Sequence, residues 1–94
     1  MNLTQIKIRK TFTEGNLKAT VSVVLYDCLA VHDIKVIESN NRLFVAMPSR
    51  KYSDGMYRDI IYPMTADLRD ELEDTILEAY EKYVALQAVM EAEN

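Results

Sequence analysis

One cysteine, one histidine, two glycines, two prolines and no tryptophan leave this 94-residue chain short of several chemistries. The lone cysteine, Cys28, excludes an internal disulfide and suits a reducing compartment. With His32 the sole imidazole, no His/Cys ligand set can be assembled for a metal. Gly15 and Gly55 lie far apart in turn-like surroundings, so there is no glycine-rich phosphate loop. No apolar run approaches the ~20 residues that cross a bilayer. Charges interrupt LTQIKIRK where a signal peptide needs its apolar core. The expectation is a cytoplasmic protein without membrane insertion, cofactor or metal.

Basic charge is scarce in the last third. Residues 1–63 hold nine Lys/Arg and six Asp/Glu, whereas residues 64–94 hold only Arg69 and Lys82 against nine acids. The net charge of −4 therefore averages two halves of opposite sign, and a polyanion should be drawn to the first. An apolar fraction of 49% excludes disorder. The length makes residues 1–94 a single domain with a modest core, for which association is a natural supplement.

What is present is strand pattern followed by helix pattern. In QIKIRK, Ile6 and Ile8 alternate with Lys7 and Arg9, the period of a half-buried strand. Lys10 alternates to the opposite side. TEGN (13–16) supplies a turn, and LKATVSVVLY, rich in β-branched residues, a second strand. After a break at Asp27 and Cys28, LAVHDIKVIE is the third, and strict alternation would send His32 and Asp33 to opposite faces. SNN (39–41) turns into RLFVAM, and MYRDIIY is the fifth strand. Short connections favour an antiparallel meander. Pro63 stops the strands, and Thr65 is the candidate N-cap. Apolar residues at 72, 76, 79, 83, 86 and 90 form one helix face. The predicted architecture is α+β: about five mainly antiparallel strands over residues 3–62, then one long helix over 66–90 packed on one face. Uncovered sheet edges and helix end predict a homodimer.

The loop in LFVAMPSRKYSDGMYRDI concentrates charge. Arg50 and Lys51 sit at its tip, Arg58 on the return, and Tyr52 and Tyr57 interleave aromatics with them. A hairpin so furnished can grip phosphates and stack bases. Hairpin tips are also charged simply because they are wet, and Arg58 could pair with Asp59 or Asp33. Lys7, Arg9 and Lys35 form a candidate second basic surface, equally readable as a solvated sheet face. A catalytic triad of Ser49, His32 and Asp59 rests on residue type alone, and the carboxylates of 67–74 suit the first turns of a helix. No catalytic residue is assigned, and His32 is read as structural, hydrogen-bonded within the sheet.

VHDIKVIESNNRLFVAMPSRKYSDGMYRDIIYPM (31–64) resembles the signature of the SpoVG family of bacterial septation and sporulation regulators. The shared features are a VHDI-(R/K)-VI strand, an NN turn, FVAMPS followed by a basic residue, a loop ending in DG, then RDI and a proline. The resemblance covers roughly residues 3–83. It departs at Tyr62, where members often carry His, in the acidity of the helix, and in the tail beyond Tyr83. It implies a homodimeric, non-enzymatic regulator that binds DNA, and in some members RNA, affecting cell division, sporulation or gene expression. That implication shifts the reading of the loop: Arg50, Lys51 and Arg58, with Lys7 and Arg9, become the expected nucleic-acid contacts, and Tyr52 and Tyr57 the stacking platforms. The competing expectation is a protein-interaction module. Tyr83, Leu86 and Met90 continue the apolar seam past the sheet, where it could dock a division or regulatory partner or close the dimer.

Overall fold

The computed structural model describes residues 3–92. Strands β1 (Leu3–Thr11), β2 (Leu17–Leu25), β3 (Leu29–Ser39) and β4 (Arg42–Ala46) form one antiparallel sheet in the order β1-β2-β3-β4. Short strands β5 (Ser49–Lys51) and β6 (Tyr57–Asp59) pair only with each other, and helix α1 (Ala66–Ala92) closes the chain. The meander and the single helix are as predicted. The fifth strand is a correction, because MYRDIIY contributes three paired residues to a separate hairpin and none to the main sheet.

The reason lies at β4, where a fifth strand would have to dock. Pro48 interrupts the chain just after it and has no N–H to offer a ladder. On β4 itself, the Val45 N–H donates to Glu73 Oε2 of the helix at 3.2 Å. The helix thus occupies a donor that a neighbouring strand would need. The β5–β6 hairpin is closed instead by Ile60 N–H donating to the Pro48 carbonyl at 2.7 Å.

Turn chemistry sets the connections. Asn40 and Asn41, with φ of 54° and 63°, make the two-residue link between β3 and β4, a conformation that asparagine tolerates. Gly55, at φ 83°, ends the β5–β6 loop. Thr65 caps α1 as expected, its Oγ1 accepting the Leu68 N–H at 3.2 Å.

The core joins the helix side of the sheet to two helical residues. Ala19, Val21, Val23, Val31, Ile34 and Val36 pack with Leu72 and Ile76, all buried. Leu43, Val45 and Met47 of the β4 segment and Leu77 and Tyr80 of α1 border them, half-buried. At ~1.5 Å per residue the 27-residue helix is about 40 Å long, and its anchored part ends near Tyr83. Leu86, Val89 and Met90 are exposed beyond that point.

Register shifts break the simple alternation at four places, two in the β1–β2 pairing and two in the β2–β3 pairing, and two of them bear on the outer face. Ile8 pairs with Val21 and Lys10 with Thr20, so Arg9 is an extra residue on β1. Val21 pairs with Ile34 and Val23 with Val31, so His32 and Asp33 together oppose Ser22. Strict alternation therefore fails at both of these. His32 and Asp33 are both exposed rather than split between faces. Lys10 shares the register of Thr20, on the same side as Lys7 opposite Ser22, and not on the other side.

Candidate nucleic-acid interface

Among the described residues, no layer covers the sheet face away from the helix. Lys7, Arg9, Lys10, Lys35 and Arg42 are exposed along it, and the register pairs Lys7 with Ser22, Lys35 with Ala46 and Arg42 with Ser39. The acidic residues of α1 stack on the opposite side of the core. The charge halves of the sequence thus become two faces of one molecule, and the sheet face is the basic one.

The hairpin divides its cations unequally. Arg50 lies directly across from Arg58, a like-charge pair that repels. Arg58 is engaged: its Nη2 meets Asp54 Oδ2 at 2.7 Å, and its guanidinium lies 4.8 Å from the Tyr52 ring centroid. Its partner is Asp54, not Asp59 or Asp33. Asp54 also accepts the Met56 N–H at 2.9 Å. That backbone bond first, and the Arg58 side chain second, hold its carboxyl below the usual range. Arg50 and Lys51 are exposed and carry no ion pair among the described residues, so they are the free cations of the tip. Tyr57 is 68% exposed across from Lys51, whereas one face of Tyr52 is occupied by Arg58. Of the two proposed stacking rings, Tyr57 is the more open.

Lys7 and Arg9 adjoin a polar cluster that sequence reasoning did not assemble. Arg9 Nε donates to Ser22 Oγ at 3.1 Å, and Ser22 Oγ lies 2.8 Å from His32 Nδ1. His32 is hydrogen-bonded within the sheet as expected, but Ser22 was unread. The available signal was the spacing of the core residues Val31 and Ile34, three apart in a strand pattern where two is the rule. Lys10 is drawn aside, its Nζ 5.2 Å from the Phe12 ring centroid.

At the far end, Tyr83 is half-buried and, with Tyr80 and Val84, faces Phe12 and Thr11 across a shallow depression. Leu86 and Met90 are 59% and 54% exposed, so among the described residues the seam continues largely uncovered, with Leu86 bordering an open depression beside Ile6 and Ile8. Among the described residues, no helix is long and apolar enough to cross a membrane.

A four-stranded meander backed by one long helix, with a basic sheet face and a separate basic hairpin, defines a small α+β domain. Comparison with known proteins makes the class specific. The SpoVG family model matches residues 1–82. The chain is 54% identical over 82 residues to a Lachnospira eligens protein named "Putative septation protein SpoVG", covering 87% of this chain and 93% of that one. It is 48% identical to the Acetivibrio thermocellus protein of the same name over the full length of both. A Staphylococcus carnosus relative, also so named, is 45% identical over 87% of this chain and 77% of its own. The chain belongs to the SpoVG family.

Proposed function

We propose that this protein is a self-associating regulator that binds nucleic acid, DNA in the first instance and RNA by the same phosphate chemistry, and acts in septation or sporulation. The septation role is supported by the names its relatives carry. The observation that carries the binding role is the segregation of charge: unpaired Arg50 and Lys51 on the hairpin and exposed Lys7 and Arg9 on the open sheet, with the acidic helix behind the core. These cations contact phosphates and not identifiable base edges, so binding is salt-sensitive and weakly sequence-selective. Arg58 contributes mainly by ordering Tyr52 and the loop.

The test is fluorescence anisotropy of a labelled DNA duplex and a single-stranded RNA at several salt concentrations. Each phosphate contact on a duplex adds about 0.9 to the slope of log K against log salt. Arg50→Gln with Lys51→Gln should lower that slope by about 1.8 per bound chain and weaken binding to all sequences alike. An unchanged slope removes the hairpin tip from the interface, and no binding at low salt removes the nucleic-acid reading.

The exposed seam supports a second reading, in which the helix end docks a division or regulatory partner or a second copy. Truncation after Tyr83 separates these. A lost dimer assigns the seam to self-association, and an intact dimer that loses its partner assigns it to docking. If neither changes, this reading fails.

A further inference from the structure

We propose that the depression over Ser22, on the open sheet face, seats a single phosphodiester group of a bound nucleic-acid strand. This rests on the nucleic-acid reading above and gives it a defined subsite.

Two bulges converge here, and the core requires neither. Without the extra residue on β3, Val31 and Ile34 would still both face the helix by ordinary alternation. The chain nevertheless inserts it, holding Asp33 at a left-handed φ of 64°. The return lies on the outer face, since bulges re-aim side chains. His32 from one bulge and Arg9 from the other are brought onto the same serine hydroxyl.

Ser22 is only 6% exposed, and its hydroxyl fixes both neighbours. A hydroxyl has one proton to give and accepts from Arg9 Nε. The assignment that uses each donor once has it donate to His32 Nδ1, leaving Nε2–H as a free donor. Arg9 is thereby held by Nε, with the Nη fork that suits a planar, two-point grip on phosphate oxygens unengaged among the described residues. Lys7, register-paired with Ser22, adds a point charge at the rim, and its ammonium has no ion pair among the described residues. Asp33 is the carboxylate nearest to His32 in sequence, and it is exposed.

The depression, bordered also by Gln5 and Ala30, is open to solvent and offers about 300 Å³. One water needs only about 10–15 Å³ by the same measure, so there is room for a tetrahedral oxyanion with its first solvent. A polymer is favoured over a free anion because Lys35 and Arg42 extend the positive face across β3 and β4.

His32 is the only histidine, so its ring carbon-bound protons give an unambiguous NMR reporter in the full-length protein. The titrants are a 20-base-pair DNA duplex, a single-stranded RNA and inorganic phosphate at matched phosphate concentration. Anisotropy salt slopes are measured in parallel for wild type, Arg9→Gln and Lys7→Gln. The expected result is a His32 shift with oligonucleotide that far exceeds the shift with phosphate. Arg9→Gln should abolish it and lower the duplex slope by about 0.9. Should Arg9→Gln lose its circular dichroism signature of folding, the exposed Lys7→Gln carries the same slope test. An unmoved His32 signal, with equal slopes in wild type and the folded variants, overturns the seat while leaving nucleic-acid binding intact. Equal shifts with inorganic phosphate and oligonucleotide overturn the polymer assignment, and no oligonucleotide binding by the wild type overturns both readings.

Discussion

Replacing Ile76 with alanine tests how the helix is held to the sheet. Ile76 is 0% exposed, and only it and Leu72 are buried on the 27-residue helix. Alanine removes three carbons, about 2.4 kcal/mol at ~0.8 kcal/mol per buried carbon. The space left in the core cluster adds a cavity term, bringing the loss to about 3 kcal/mol. That is a large share of the ~5–15 kcal/mol available to a domain. At about 4–8 °C per kcal/mol for this size, the midpoint should fall by about 12–24 °C. Urea titration and thermal unfolding followed by circular dichroism at 222 nm, at one fixed protein concentration, measure both quantities. Leu86→Ala is the companion, since a side chain in solvent should change stability by no more than ~0.5 kcal/mol. A loss below about 1 kcal/mol at Ile76 would refute the docking described. A loss at Leu86 as large as that at Ile76 would refute its exposure and place a second surface on the seam.

Three further outcomes follow from specific contacts. Glu73→Ala removes the acceptor of the half-buried Val45 N–H and should cost about 1 kcal/mol, read by urea denaturation, with Glu73→Gln retaining most of it because an amide oxygen still accepts. Asp54 has a folded-state pKa lowered by the Met56 N–H and Arg58, so its support of the hairpin is complete above the ordinary carboxylate value of 3.8 and is lost as pH falls through the lower folded value. The Met56 amide resonance should therefore titrate below pH 3.8, and Asp54→Asn should abolish that titration. Asn41→Gly keeps the φ of 63° without its side-chain penalty, so stability should hold or rise by a few tenths of a kcal/mol, whereas Asn41→Val should lose at least about 1 kcal/mol.

Local signals were legible in the sequence and non-local ones were not. Thr65, Pro63 and the apolar spacing from Leu72 mark the helix because capping and periodicity act within a few residues. Asn40-Asn41 and Asp54-Gly55 mark their turns for the same reason. The fate of MYRDIIY could not be read this way. Its composition suits a strand, but pairing depends on an open edge, and Glu73, some fifteen residues later, occupies a donor of that edge. The bulges escaped for a related reason. One extra residue changes little in composition yet moves Lys10 and Asp33 to the outer side and assembles the Arg9–Ser22–His32 cluster. The free cations Arg50 and Lys51 were visible as types, whereas the capture of Arg58 by Asp54 needed the loop's geometry.

The layering of charge has a mechanical consequence. Exposed cations on the open sheet face and the acidic helix on the layer behind it give the molecule an uneven charge distribution across its two layers. Near a polyanion such a body experiences a torque before contact, and it arrives sheet-first. If it binds a nucleic-acid strand as proposed, its acidic back would face outward, and a strand carrying many copies would acquire a negatively charged coat. Newcomers would be pushed toward bare stretches, spacing the copies along the strand by repulsion alone, with a range set by the ~10 Å screening length at 0.1 M salt.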